Sequence, residues 1–318
     1  MTKIYWDSQV PSDWTGDHSD ELRTVPEESS FTRTASHIET LEFISKLAWR
    51  SEYIHIERLF ISDLRRISPL VILSNPRVTT PEEAKETGKP IVYLQGNIHP
   101  PEAEGKESLL ILMRDIATGD KRHYLDDMII LVAPDFNPDG TETWEVKNTS
   151  TFSGTPHIQS LRHNAVDADV NRDGIKMETV NMKGLYMNVL NKWDPVMTLD
   201  LHSMGRVQHG YCNLYAPSYT PTGNPGPRED TQHTVLPWIR EHGEKQFGAM
   251  YYTHADFDWE KWPPEVWDPV AGGYSVEAKF IVNAIGLRNR MSILTETPGH
   301  VGFEKRIWAC YTCTLSLL

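Results

Sequence analysis

The chain has 318 residues, 39% of them hydrophobic and 24% charged, with a formal net charge of -13 and a pI near 5.4. That length is enough to bury a sizeable core, and the acidic balance argues against nucleic acid or an anionic membrane as the main partner. The N-terminal stretch MTKIYWDSQVPSDW lacks the apolar segment of a signal peptide, and no apolar run is long enough to cross a bilayer. As written, the sequence predicts a cytosolic protein, and a secreted one only if a start lies upstream; the Asn148-Thr-Ser150 sequon matters only in that case.

In chain order, residues 1–36 are polar and Trp-containing without clear periodicity and read as a surface-wrapping segment, followed by one domain over 37–318. Ile38, Leu41, Ile44 and Leu47 recur at helical spacing between Ser36 and Ser51. Ile54, Ile56 and Leu59, then Leu70–Leu73, predict two strands. Ile91–Leu94 is a short buried strand after Gly88-Lys-Pro90, and residues 105–117 form a helix with Leu109, Leu112, Met113 and Ile116 on one stripe. Met128–Val132 is the clearest buried strand. A helix over 177–193, a strand Val196–Leu199, a Pro/Gly loop over 216–229 and a helix to about 247 follow. A Trp- and Pro-rich stretch over 255–269, a helix near 274–285, a strand over 291–295 and a terminal helix from about 303 complete the chain. Strands alternating with helices predict a three-layer α/β/α sandwich around a mixed, largely parallel twisted sheet.

Two EF-hand-like beginnings, Asp135–Gly140 and Asp169–Gly174, fail at the twelfth position, which holds Val146 in one and Val180 in the other; this excludes calcium loops. Cys310-x-x-Cys313 has no second pair to complete a zinc ribbon and reads as two small residues on a packed terminal helix.

The chemistry lies in four distant segments: His99-Pro-Pro-Glu102, Asp169-Val-Asn171-Arg172, Asp200-Leu-His202 and Leu294-Thr-Glu296. His99 and Glu102 follow a buried strand, where open α/β sheets place their sites. Spacing alone is weak evidence, because His18-Ser-Asp-Glu21 repeats it in an unstructured stretch. Glu104 is a rival ligand, but it begins the next helix. His202 follows another strand, so His99, Glu102 and His202 can together hold one zinc ion and leave a fourth position for water. Glu296, at a buried strand end, can take that water's proton; the competing reading is a salt bridge to Arg288 or Arg290.

As an ordered set, these segments resemble the zinc metallocarboxypeptidases, the funnelin family that includes carboxypeptidase A, from about residue 37 to the end. The resemblance implies one zinc per chain, held by His99, Glu102 and His202, with Glu296 as general base. It implies that Arg162 polarises the scissile carbonyl and that Asn171 and Arg172 grip the substrate's terminal carboxylate. Asp169 would orient the first zinc histidine, and Asn137-Pro-Asp-Gly140 would shape the site. Tyr274 is the candidate substrate-capping tyrosine, Ile281 a candidate pocket residue, and Trp259, Trp262 and Trp267 either rim the site or pack a long loop. The implied activity is hydrolysis of the C-terminal peptide bond of peptides by a monomer, with neither nucleic acid nor membrane as partner. Two alternatives stay open: an amidase or deacylase acting on small N-acyl amino acids or cell-wall peptides, and an inactive protein that binds peptide tails.

Overall fold

Alternation of buried side chains between two faces organises the chain around a single eight-stranded sheet in the order β1-β2-β4-β3-β5-β8-β6-β7. The computed structural model describes residues 10–16, 18–143, 161–204, 209–254 and 275–318. The strands are β1 Ile54–Ile61, β2 Ile67–Leu73, β3 Ile91–Gly96, β4 Ile129–Ala133, β5 Met197–Met204, β6 Asn213–Pro217, β7 Tyr251–Thr253 and β8 Met291–Pro298. The four central strands, β4, β3, β5 and β8, run parallel. β1, β2 and β6 add antiparallel pairings toward the edges. The mixed, centrally parallel sheet matches the sequence expectation.

Each face carries its own helical layer, which makes the architecture three-layered. On one face Val92, Leu94, Val132 and Leu199 pack with helices His37–Arg50, Glu104–Thr118 and Phe303–Leu317. On the other, Tyr93, Ile129 and Leu131 pack with Met182, Leu185 and Val189 and with Ile281 and Ile285. Among the described residues no helix is long and apolar enough to cross a membrane.

The first long helix starts at Ser36, whose hydroxyl accepts from Glu39 N at 3.2 Å while Glu39 Oε2 accepts from Ser36 N at 2.8 Å. Its buried stripe is Thr40, Phe43, Ile44 and Leu47, whereas Ile38 is 62% exposed. The predicted stripe was therefore rotated: small, polar Thr40 packs inward because it lies one turn before Phe43 and Ile44. Helix Glu104–Thr118 is buried on nearly every side, beyond the single stripe expected, because the helices before β1 and at the chain end flank it. Cys310 and Cys313 are buried on the terminal helix, consistent with packing.

Other boundaries shift for local reasons. The helix expected over 177–193 occupies Val180–Leu185 and continues as a π-helical turn, Tyr186–Leu190. Met177 at φ 55° and Asp194 at φ 47° lie outside helical space at either end, and the Thr179 side chain caps the start. The helix expected over 274–285 is the shorter Ile281–Gly286, because the Asn283 side chain donates to the Ser275 and Glu277 carbonyls and holds that approach in turns. The Pro/Gly loop expected over 216–229 ends at Asn224, which caps a helix beginning at Pro225. Strands β6 and β7 and the helix Pro81–Thr87 carry signals too short to read from the sequence.

The N-terminal residues described here lie against the helical layer. Trp14 sits 5.3 Å, ring to ring, from Trp308, and buried Arg114 donates to Glu27 Oε1 at 2.7 Å. One close approach matters for the site. A Cβ on Gly105 would come within 2.8 Å of Leu201 Cβ, so only glycine lets the helix after Glu102 sit directly on β5.

Candidate metal centre

The carboxyl ends of parallel strands β3, β5 and β8 converge, and chain topology alone brings His99, His202 and Glu296 to one edge of the sheet. His99 follows β3 by three residues, and the Glu102 amide closes that turn onto the His99 carbonyl at 2.8 Å. His202 lies within β5, which extends to Met204, and it pairs in register with Glu296 on β8. Register partners on adjacent strands project from the same face, so Glu296 stands beside His202.

The ligand geometry is convergent. His99 Nδ1 lies 3.0 Å from Glu102 Oε1, and His202 Nδ1 lies 2.9 Å from Glu102 Oε2. Suitable donor atoms of His99, Glu102 and His202 all fall within 4.8 Å of one another, and all three residues are buried. Two imidazoles and one carboxylate suit zinc with an open fourth position. Burial opposes ionisation of Glu102, but the His99 and His202 imidazoles hold its carboxyl well below the usual carboxylate range.

Each ring is held from behind by a carboxylate. His99 Nε2 meets Asp169 Oδ1 at 3.0 Å, and His202 Nε2 meets Asp200 Oδ2 at 2.9 Å. Asp200 lies in the Asp200-Leu-His202 segment, where spacing alone assigns it no role. The signal was available: Asp200 and His202 are two apart on one strand and so share a face. Gln95 on β3 donates to Asp200 Oδ1 at 3.0 Å and accepts from Tyr93 at 2.8 Å, which keeps the aspartate from rotating. Because such partners fix the orientation of a metal-binding imidazole, Asp200→Asn is expected to weaken zinc affinity about 10- to 100-fold. A competition titration against a chromophoric chelator measures this, and unchanged affinity would remove Asp200 from the site.

Glu296 has no ion pair with either suggested arginine. Arg288 donates to Asn191 Oδ1 at 2.7 Å, and Arg290 pairs with Asp194 at 2.6 Å. Glu296 keeps partial exposure, yet its carboxyl is hemmed in, and burial pushes it up to about 8. His202 and Arg162 oppose that rise, while Glu102 and Asp200 add to it.

Arg162 donates to Glu102 Oε1 and Asp169 Oδ2, each at 3.1 Å, so its guanidinium lies at the ligand cluster. The Asn137-Pro-Asp-Gly140 segment explains its position. A Cβ on Gly140 would meet the Leu161 carbonyl at 2.6 Å and the His163 carbonyl at 2.8 Å, so residues 161–163 close down on the glycine. Asp139 anchors the same turn by accepting from Ser62 and Arg66, each at 2.8 Å.

Asn171 and Arg172 arise from a short turn capped by Asp169, whose Oδ1 accepts from Asn171 N at 3.0 Å. Asn171 Oδ1 accepts from Ile281 N at 3.0 Å, and its amide lies 3.4 Å from His202 Nε2. The Arg172 guanidinium stacks 4.3 Å from the Phe280 ring, with about two fifths of the side chain exposed. Phe280 was missed by the sequence reading. The Ile281 side chain is buried with the core on that face of the sheet, and its backbone amide reaches Asn171. Glu104 heads the next helix and faces away from the three ligands, toward Ser203 and Thr297. Tyr274, Trp259, Trp262, Trp267 and the Asn148 sequon lie outside the described residues.

The mixed α/β sheet thus carries at its parallel-strand edge a two-histidine, one-carboxylate cluster, a donor set able to hold a metal ion such as zinc. Residues 69–184 match the family described as zinc carboxypeptidase. Carboxypeptidase 2 of Trichophyton equinum is 25% identical over 327 residues, covering 93% of this chain and 54% of that protein. Among solved structures, a metallo-carboxypeptidase from Burkholderia cenocepacia aligns with a TM-score of 0.64 at 17% identity, covering 89% of this chain and 68% of that one. The carboxypeptidase A from Helicoverpa armigera aligns with a TM-score of 0.62 at 13% identity, covering 96% and 75%. The match to that family's model spans about a third of the chain, and the solved structures share its fold. The chain spans about half the length of the curated relatives that match it most fully.

Proposed function

We propose that this protein is a zinc-dependent carboxypeptidase that hydrolyses the C-terminal peptide bond of peptides. The observation that carries the reading is the convergence of His99, Glu102 and His202 on one point with Glu296 in register beside them. In this reading the three ligands hold zinc, which when bound supplies a Lewis acid able to acidify water and polarise a carbonyl. Glu296 accepts a proton from the attacking water and returns one to the leaving amine. Its raised proton affinity suits both transfers.

Arg162 donates to the oxygen that becomes negative as the carbonyl carbon turns tetrahedral. Arg172, stacked on Phe280, presents a planar fork to the substrate's terminal carboxylate, and Asn171 lies beside it. That pair restricts attack to the last peptide bond.

The test compares a blocked dipeptide bearing a free carboxylate with its C-terminal amide. The acid is expected to be cleaved roughly 100-fold faster in kcat/KM, the worth of a charged hydrogen-bonded pair of about 2–3 kcal/mol. Arg172→Ala is expected to bring the two substrates close to parity. Equal cleavage by the wild-type protein would overturn the exopeptidase reading, and hydrolysis confined to small N-acyl amino acids would redirect it to an amidase.

A further inference from the structure

Behind the candidate centre, on the opposite face of the sheet from His202 and Glu296, lies a charged cluster with no place in the chemistry above. Ser203 and Thr297 are the next residues on β5 and β8, and they too are register partners. Strand alternation turns their side chains toward the helical layer, where Glu104 and Arg306 are both fully buried. Glu104 Oε1 accepts from the Ser203 hydroxyl and, at 3.0 Å, from the Thr297 hydroxyl. The two hydroxyls are 2.8 Å apart, and Arg306 Nε sits 3.6 Å from the same carboxylate oxygen. Thr297 Oγ1 also lies 3.2 Å from the His202 carbonyl, while Ser203 N donates to Glu102 Oε2 at 3.1 Å.

A buried ion pair is a poor way to stabilise a fold, because apolar residues of similar volume usually do as well or better. Its location gives it a use. The β5–β8 ladder ends at Met204 and Pro298, where Gly299 N closes it by donating to the Met204 carbonyl at 3.1 Å. The last residues before that end are the ones whose neighbours face the metal ligands. That last backbone bond fixes the register, and a side-chain tie between Ser203 and Thr297 limits the twist of one strand end against the other.

We propose that Glu104 is a positioning residue: held by Arg306, it clamps Ser203 to Thr297 and so sets the spacing between His202 and Glu296. This rests on the carboxypeptidase reading for its effect on turnover, but the clamp itself is a property of the strand ends. Glu104 occupies the first position of its helix, where the positive end of the helix dipole favours a carboxylate. It also lies two residues beyond Glu102, so one short segment supplies both a ligand and the clamp.

Thr297→Val removes the hydroxyl at nearly constant volume, and Thr297→Ser keeps it. In Thr297→Val, kcat on the free-acid peptide is expected to fall roughly tenfold or more with KM nearly unchanged, as a small misplacement of a catalytic group would produce. Thr297→Ser is expected to restore kcat, and Glu104→Gln added to Thr297→Val should lower it little further. Independently of turnover, the visible absorption of the cobalt(II)-loaded protein is expected to change in Thr297→Val and return in Thr297→Ser. Movement of either readout with rescue by serine supports the clamp. A fall in Tm alone, with kcat and the cobalt spectrum both unaltered, overturns it. Should Thr297→Val fail to fold, Glu104→Gln alone provides the same two readouts. If the wild-type protein cleaves no peptide, the carboxypeptidase reading fails and the cobalt spectrum still decides the clamp.

Discussion

Glu296→Gln is expected to lower kcat/KM by about a thousandfold while leaving zinc content at one per chain, the loss typical of removing a positioned general base. The amide keeps the size of the side chain but cannot take a proton from water. None of the three ligands depends on Glu296 for a hydrogen bond, since His202 is held by Asp200 and Glu102. Turnover that survives in a zinc-loaded Glu296→Gln protein would take this residue out of the mechanism.

The same substitution carries a pH signature in the metal-free protein. Burial raises the Glu296 carboxyl from an ordinary 4.5 to about 8, so between those values the folded state binds a proton that the unfolded state has released. Its favourable contribution is complete below about pH 4.5 and is lost as pH rises through about 8. Glutamine has no such dependence. In the presence of a chelator, the Tm of Glu296→Gln relative to wild type is therefore expected to be higher at pH 8 than at pH 5, as read by thermal unfolding at both values. A pH-independent difference would contradict the burial argument. A divalent cation beside the carboxyl favours its ionised form, so the effect should shrink when metal is restored.

Glu102→Ala is expected to have the largest effect on metal binding, weakening zinc affinity by about a thousandfold or more, because one of three ligands and its negative charge are removed together. The geometry makes this residue central. Its two oxygens face the two imidazoles, and it also accepts from Ser203 N and Arg162. Alanine leaves those donors without their shared acceptor, and breaking buried pairs in this way destabilises by about 3–5 kcal/mol. Metal content after dialysis and the Tm of the metal-free protein measure the two parts. Full zinc retention by Glu102→Ala would show that the ion is held elsewhere.

Much of this was readable from residue order because the signals are local or ordered along the chain. The apolar runs at 91–94, 128–132 and 291–295 are each bounded by turn residues, and they became three of the four central parallel strands. His99, Glu102, His202 and Glu296 stood out because each falls at or just beyond such a run. Errors arose where a neighbour distant in sequence decides the outcome. Ile38 looked like core, but the sheet lies under Thr40 and Phe43 instead. β6 was missed because an antiparallel partner on β8 makes it a strand, not its own short pattern. The helix expected from 177 begins later because Met177 adopts a left-handed backbone that nothing in its side chain announces.

What residue order decided is the set of chemical groups and the strand ends that carry them, since hydrophobic runs and punctuation are properties of adjacent residues. What only the packed chain decided is the second set of contacts: Asp200 behind His202, Phe280 beneath Arg172, and Glu104 tying Ser203 to Thr297. Those roles depend on strand register and on a helix resting against the sheet at Gly105, distances that exist only after residues a hundred or more apart have met.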